Sequence, residues 1–354
     1  MKKNIINFAI IVCIASMYSC SETTFSSTEI TIGNSDSSIE LKDCFSSAKI
    51  IPLKENAETP MADISIMKYH EGKFYCTDTH ATAIWVFDKE GNQTAYFEHL
   101  GHSGGEYTKI LDFDIVGEEL WMLCSPAKIM RVGLASEQIS ILPLDEATTM
   151  NRICHYDGLT YLYEEAERAV YTIDGQGETS RLFSQVPLPM ASKEMPMFYP
   201  CKDCLLYTAA GVEDIYKIDK GNITRYITVD YEGKENAIER FAEAKVPTFE
   251  ERMKLSFMDI KNIFDLGDQY MISYVFKMIY RACFIDKESG NLLNDGIQLG
   301  FFGIPILEAN DRIYGVGFYS KENPLVDENQ IPVSVVNQQN IPEDGCNAII
   351  EYEL

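Results

Sequence analysis

Local signatures of common chemistry are missing from this chain. It contains no HExxH, no GxSxG, no Walker A loop and no GxGxxG following a strand, so serine hydrolysis, helix-borne zinc and nucleotide chemistry have no motif to rest on. Histidine is scarce: His70, His80, His99, His102 and His155 are the only five, without regular spacing. Cations are also in short supply, 30 Lys and Arg against 54 Asp and Glu, for a formal charge of -24. Such an excess of carboxylates repels phosphate backbones and excludes nucleic acid as a partner. Long apolar runs are absent apart from Ile5 to Met17, which follows Lys2 and Lys3 and is too short to cross a bilayer.

That run has the length and basic start of a signal peptide. Its end, Met17-Tyr18-Ser19-Cys20, places a small residue before a cysteine, the arrangement cut by lipoprotein signal peptidase. Residues 1–19 are therefore expected to be a lipoprotein signal, with Cys20 the acylated N-terminus held in a lipid bilayer; an ordinary secretory signal is the alternative. Losing Lys2 and Lys3 takes the charge to -26. Residues 20–43 are rich in Ser and Thr and read as a flexible tether with a span of about 25 to 30 Å. Residues 44–354 form the globular part.

What is present is a repeat. Ile64 to His70, Lys73 to Asp78, Ile84 to Asn92 and Thr94 to Glu98 are four alternating strands joined by tight turns, and similar units recur about every 45 residues to Leu354. One such sheet cannot bury its own faces, so the expected fold is all-β, a six-bladed β-propeller. The sixth unit supplies only three strands, Ile304 to Glu308, Arg312 to Phe318 and Ala348 to Leu354. The early strand Ala48 to Leu53 is the natural fourth, closing the ring between the two ends of the chain and covering an open edge. Two segments interrupt the repeat. Lys234 to Phe257, with a capping box at Thr248 to Glu251 after Pro247, is expected to be a helical insertion between blades four and five; Tyr319 to Cys346 is a long Pro-, Asn- and Gln-rich loop inside blade six.

Of the ten cysteines, Cys76, Cys124, Cys154 and Cys283 fall in mid-strand and read as buried thiols. Cys201-Lys-Asp-Cys204 occupies a turn between the first two strands of a blade, where either a local disulfide or two thiols fit; a thioredoxin-type role lacks its βαβ surroundings. Most of the 20 Tyr and 18 Phe recur at one place per blade and read as core rather than as a sugar platform.

The quoted features, together with Lys49 to Leu53, the turn Phe87 to Gly91, the segment Gly101 to Tyr107 and the ending Asn347 to Leu354, resemble the six-bladed β-propeller lipoproteins of bacterial cell envelopes, relatives of NHL-repeat propellers. The resemblance implies a fold and a location, the cell envelope at the periplasmic or surface side of the outer membrane, and no reaction. Where such chains carry a Gly-Pro-Gly-Glu type sequence, this one has Ser103-Gly-Gly-Glu106.

In a propeller, blade-to-blade connections leave on the same face as the turns between second and third strands. Candidate ligand-binding residues at that mouth are His80, His102, Glu106, Glu164, Arg168, Glu213, Lys277 and Arg281, with Glu165 beside them. Their mixed charge suits a peptide or a glycan, while solvated turns are the plain alternative. For Glu106 and Tyr107 that alternative is hydrogen bonding within the Gly-rich turn to fix blade packing. The expected role is binding or scaffolding of a peptide, glycan or envelope protein, with no cofactor. The alternative is a metal-assisted hydrolase or lyase holding a divalent cation such as calcium in the channel through carboxylates, although no local metal-ligand spacing marks one.

Overall fold

The computed structural model describes residues 27–32, 41–145, 148–184, 197–208, 214–231, 258–276, 279–298, 305–338 and 341–354. Among these, 26 strands form six sheets of four or five strands, each sheet one blade. The first three blades are simple up-and-down meanders. Blade one holds Ile66–His70, Lys73–Thr77, Ile84–Phe87 and Gln93–Phe97; blade two holds Lys109–Val116, Glu119–Ser125, Lys128–Gly133 and Ile139–Pro143; blade three holds Met150–Tyr156, Leu159–Glu164, Ala169–Ile173 and Thr179–Ser184. In blade five, Met258–Asp265, Gln269–Phe276, Ile279–Asp286 and Leu292–Gln298 follow the same order.

Second strands lie sandwiched between neighbouring blades and are apolar on both faces. In Glu119–Ser125, every residue from Leu120 to Cys124 is buried, which is the pattern of a strand covered on both sides. The core is accordingly divided into six clusters, one per blade interface. Ile84, Phe113 and Met122 join blades one and two; Leu123, Ile153 and Leu162 join two and three; Ile51, Phe87 and Tyr314 join six and one. Cys76, Cys124, Cys154 and Cys283 are buried thiols, and Tyr107, Tyr161, Tyr163, Tyr207, Tyr274 and Tyr352 are among the largest fully buried side chains.

Blade six joins the chain ends. Its strands Pro305–Ala309, Arg312–Tyr319 and Cys346–Glu353 are followed in the sheet by Ser47–Pro52, which pairs antiparallel with Cys346–Glu353 through Ile50↔Ile350 and Ile51↔Ile349. The turn after blade one's third strand fits against that seam. Gly91 sits at φ +80°, and a Cβ there would collide with the Pro52 carbonyl, while Lys54 N donates to Gly91 O at 2.8 Å; only glycine meets both demands.

Two expectations need correction. The stretch 20–43 is not tether throughout: Thr28–Ile32 is a fifth, outer strand of blade four, running parallel to Asn222–Tyr231, with Ile30 and Ile32 buried. The alternation Thr-Glu-Ile-Thr-Ile places its two isoleucines on the covered face, and backbone pairing supplies what the polar composition conceals. The loop 319–346 is largely packed structure: Val333–Val335 adds a parallel outer strand beside Ser47–Pro52, and Leu325, Val326 and Ile331 are buried in the cluster joining blades five and six. The expected helical insertion at 234–257 lies outside the described residues.

Candidate functional site

Inner strands have one edge turned to the channel, and their backbone amides need partners there. In blades two and three the partners are carboxylates. Asp112 accepts from its neighbour Phe113 N at 2.9 Å and from Ile153 N of the next blade at 3.0 Å; Asp114 accepts from Ile115 N at 3.0 Å and from His155 N at 2.6 Å. Burial pushes the Asp112 carboxyl up, opposed by the charges of Lys68 and Arg152; burial works against the Lys68 ammonium, but Asp114 and Asp112 raise its pKa overall. The channel wall across blades one to three is thus a cluster of Lys68, Asp112, Asp114 and Arg152 with balanced charge.

Register shifts recur near the start of inner strands, between Ile110 and Asp112, Met150 and Arg152, Ile260 and Asn262, and Pro305 and Leu307. Each is a bulge that leaves one residue without a cross-strand partner and re-aims its side chain. The first two, at Leu111 and Asn151, open onto a cleft of about 660 Å³ between blades two and three. Its floor is apolar, with Leu111, Leu123, Leu144 and Met150, and its polar walls come from Lys109, Ser125, Thr148, Thr149, Arg152 and Glu165. Among the described residues, no aromatic side chain lines it.

The polar wall is braced. Asn151 Nδ2 donates to Glu165 Oε2 at 2.8 Å, Arg152 donates to Asn151 O at 2.7 Å, and Thr149 Oγ1 accepts from Ala166 N at 3.0 Å. Two acceptors are left over: Asn151 Oδ1 and Thr148 Oγ1 are buried and meet no hydrogen-bond partner among the described residues. A buried polar atom without a partner is uncommon and points to a missing group.

The candidate residues read from sequence separate into several places. Glu164 and Arg168 flank the turn beside this cleft, and both are buried. Glu164 Oε1 receives Thr149 N at 3.4 Å, so it supports the wall, and Arg168 lies beneath, beside Tyr163, whose hydroxyl burial pushes up against that cation's influence. His80 and His102 are exposed. Glu106 accepts from Ser103 N at 2.8 Å, which holds its carboxyl below the usual carboxylate range, and Lys128 Nζ donates to Gly104 O at 3.1 Å and to Glu106 O. Tyr107 hydroxyl donates to Thr82 O at 2.9 Å. Gly101 to Tyr107 is therefore a locked joint between blades one and two. Arg281 is half-buried on the third strand of blade five near Tyr274. Glu213, Lys277 and Cys20 lie outside the described residues. Cys201 and Cys204 are present as thiols. Among the described residues, no three His, Cys, Asp or Glu side chains form a group able to hold a metal ion, and no helix is long and apolar enough to cross a membrane.

Asn151, Thr148 and Leu111 escaped the sequence reading because nothing in the composition of Thr148 to Arg152 marks a bulge.

A profile of the 6-bladed beta-propeller family matches residues 20–299. No curated protein matches the chain. Among solved structures, the chain is similar to a protein of Bacteroides fragilis NCTC 9343 that carries the designation exported protein, at 11% identity and TM-score 0.68, covering 92% of this chain and 99% of that one. It is similar to a catalytically inactive virginiamycin B lyase of Staphylococcus aureus bound to quinupristin, at 16% identity and TM-score 0.52, covering 87% and 99%. A Bacteroides vulgatus protein of a family without assigned function aligns at 9% identity and TM-score 0.51, covering 87% and 96%. At these identities the likeness is one of fold.

Proposed function

The chain belongs to the 6-bladed beta-propeller family, and from that premise we propose that it is an envelope-anchored binding protein whose cleft between blades two and three takes a short peptide segment. The observation that carries this reading is the pair of buried, unpartnered acceptors, Asn151 Oδ1 and Thr148 Oγ1. Backbone amide N–H groups of an extended peptide are the donors that such acceptors fit. Leu111, Leu144 and Met150 offer room for a small apolar side chain, and the exposed Lys109 offers charge to a carboxylate. Glycan readers stack sugar rings on aromatic faces, and the described lining of this cleft has none, which favours peptide over glycan. Lipid attachment at Cys20 would hold the propeller at a membrane of the cell envelope, in keeping with the exported designation of one structural neighbour.

The test is binding of the full chain, in detergent, to an array of tri- and tetrapeptides with small apolar side chains, and in parallel to an oligosaccharide array. Peptide binding is expected, weakened at least tenfold by Asn151→Leu, since losing a hydrogen bond to a buried group costs roughly 1 to 3 kcal/mol, and by Ala127→Trp, since Ala127 also lines the cleft and an indole there would fill it. Binding to sugars alone, or peptide binding indifferent to both substitutions, would refute the assignment.

A further inference from the structure

Blade four has the shortest inner hairpin of the ring. Its first two strands, Phe198–Pro200 and Leu205–Tyr207, are three residues each, where the corresponding strands of the other blades run to five or more. The register Phe198↔Tyr207, Tyr199↔Leu206 and Pro200↔Leu205 continues outward to Cys201 opposite Cys204, and Cys201 N donates to Cys204 O at 2.8 Å. Residues paired in this way have Cα atoms about 5.5 Å apart, inside the range a disulfide spans. Both side chains enter the cluster joining blades four and five, and only Lys202 and Asp203 of the turn are exposed.

We propose that Cys201 and Cys204 are a dithiol–disulfide couple, and that in its oxidised state it is a covalent clip across the inner hairpin of blade four. The surroundings favour this chemistry. The Cys204 thiol contacts the Cys201 thiol and lies 3.7 Å from the Tyr270 hydroxyl, while Lys287 stands 5.0 Å over the Tyr270 ring. The hydrogen bond from Cys201 holds Cys204 down to about 6 against its burial, with Tyr270, Lys217 and Lys287 adding to the effect, and the same bond together with burial pushes Cys201 up. Cys204 is therefore the more acidic thiol of the pair, and the nucleophile of exchange.

The oxidant is a small-molecule or protein disulfide. Cys204 thiolate attacks one sulfur of the donor, breaking the donor S–S bond and releasing one donor thiolate. Cys201, on losing its proton, then attacks Cys204 Sγ in the mixed disulfide and releases the second donor thiolate. Two protein thiols and one donor disulfide become one protein disulfide and two donor thiols.

The experiment uses the full chain, equilibrated with oxidised glutathione and then denatured, alkylated and digested. The peptide carrying residues 201 and 204 is expected unalkylated and two mass units light, becoming doubly alkylated after reduction, while Cys76, Cys124, Cys154 and Cys283 are alkylated either way. Recovery of Cys201 and Cys204 as alkylated thiols or as separate glutathione adducts after oxidation overturns the couple. A second measurement addresses the clip: reductant should lower the thermal midpoint of the oxidised wild-type chain and leave that of C201S/C204S unmoved. A wild-type midpoint indifferent to reductant overturns the clip. Neither readout involves the cleft between blades two and three.

Discussion

Glu308 is a carboxyl whose protonation is carried into the neutral range by its surroundings. It sits on the innermost strand of blade six, where Asp265 N of blade five donates to its carboxylate. Burial pushes its carboxyl up to about 7; that backbone bond and Lys287 oppose the shift, while the charges of Asp265 and Asp311 reinforce it. Asp265 next to it goes the other way: burial works against its charge, but Lys287 and the amides of Lys202 and Gly267 hold it below the usual carboxylate range. The two contributions occupy separate pH windows. Between the ordinary carboxylate value and about 7, the folded chain keeps a proton on Glu308 that the unfolded chain has lost, so stability falls as pH rises through that interval. Asp265 contributes stability that is fully present above the ordinary carboxylate value and is lost only as pH falls below it. Urea midpoints measured from pH 5 to 7.5 in the C201S/C204S background, which removes the opposing contribution of the lowered Cys204 thiol, are therefore expected to decline and to flatten when Glu308→Gln is added; an unchanged slope on that addition would remove Glu308 as the cause.

Thr28–Ile32 shows how a five-residue strand can be worth more than its length suggests. It gives blade four's outer strand a partner, and its isoleucines join the same cluster as Tyr199, Leu206 and Ile285. Beside it, Gly290 at φ +69° leaves no room for a Cβ against Thr28, so blade five's last turn is shaped around this strand. Truncating a buried isoleucine to alanine costs about 2 to 5 kcal/mol in a well-packed core, and an outer strand belongs at the low end. Ile32→Ala is expected to lower stability by about 2 kcal/mol in chemical unfolding, whereas Glu29→Ala, on the exposed side of the same strand, should change it by less than about 0.5 kcal/mol. Equal effects would mean that the segment is not docked. The contrast also explains what sequence could show. Ala48 to Leu53 stood out because Ile50-Ile-Pro-Leu53 is a compact apolar stretch beside a blade short of one strand; Thr28–Ile32 carries two apolar residues in a Ser- and Thr-rich stretch, too few for periodicity to register. Turn positions could be sorted by face from strand order alone, which set Glu164 and Arg168 beside the turn between the second and third strands of blade three but gave no sign that both are buried there. The cleft itself was invisible, since bulges at Leu111 and Asn151 arise from ring geometry and leave no residue signature.

A ring of sheets differs from a stack in that every blade has two neighbours only while the ring is closed. Here the closing contacts are the antiparallel ladder from Ser47↔Glu353 to Pro52↔Ala348, the ring stack of Phe45 on Tyr352 at 4.6 Å, and the hydrogen bonds of Asn347 to Glu55 at 3.0 Å and to Met61 O at 3.1 Å. These bring residues nearly three hundred positions apart into one sheet, so they carry a large loop-closure cost and depend on the rest of the ring being formed. Opening the seam exposes Ile50, Ile51, Ile349 and Ile350, all essentially inaccessible in the folded chain, and releases the interfaces of blade six with both neighbours. Removal of Asn347 to Leu354 is accordingly expected to cost more than blade six alone. Hydrogen exchange should rise in blade six and also in Leu159–Glu164 of blade three, across the ring from the seam, and unfolding should stay a single transition at a lower midpoint. Exchange confined to blades six and one, with blade three still protected, would show that the sheets are held pairwise rather than by closure.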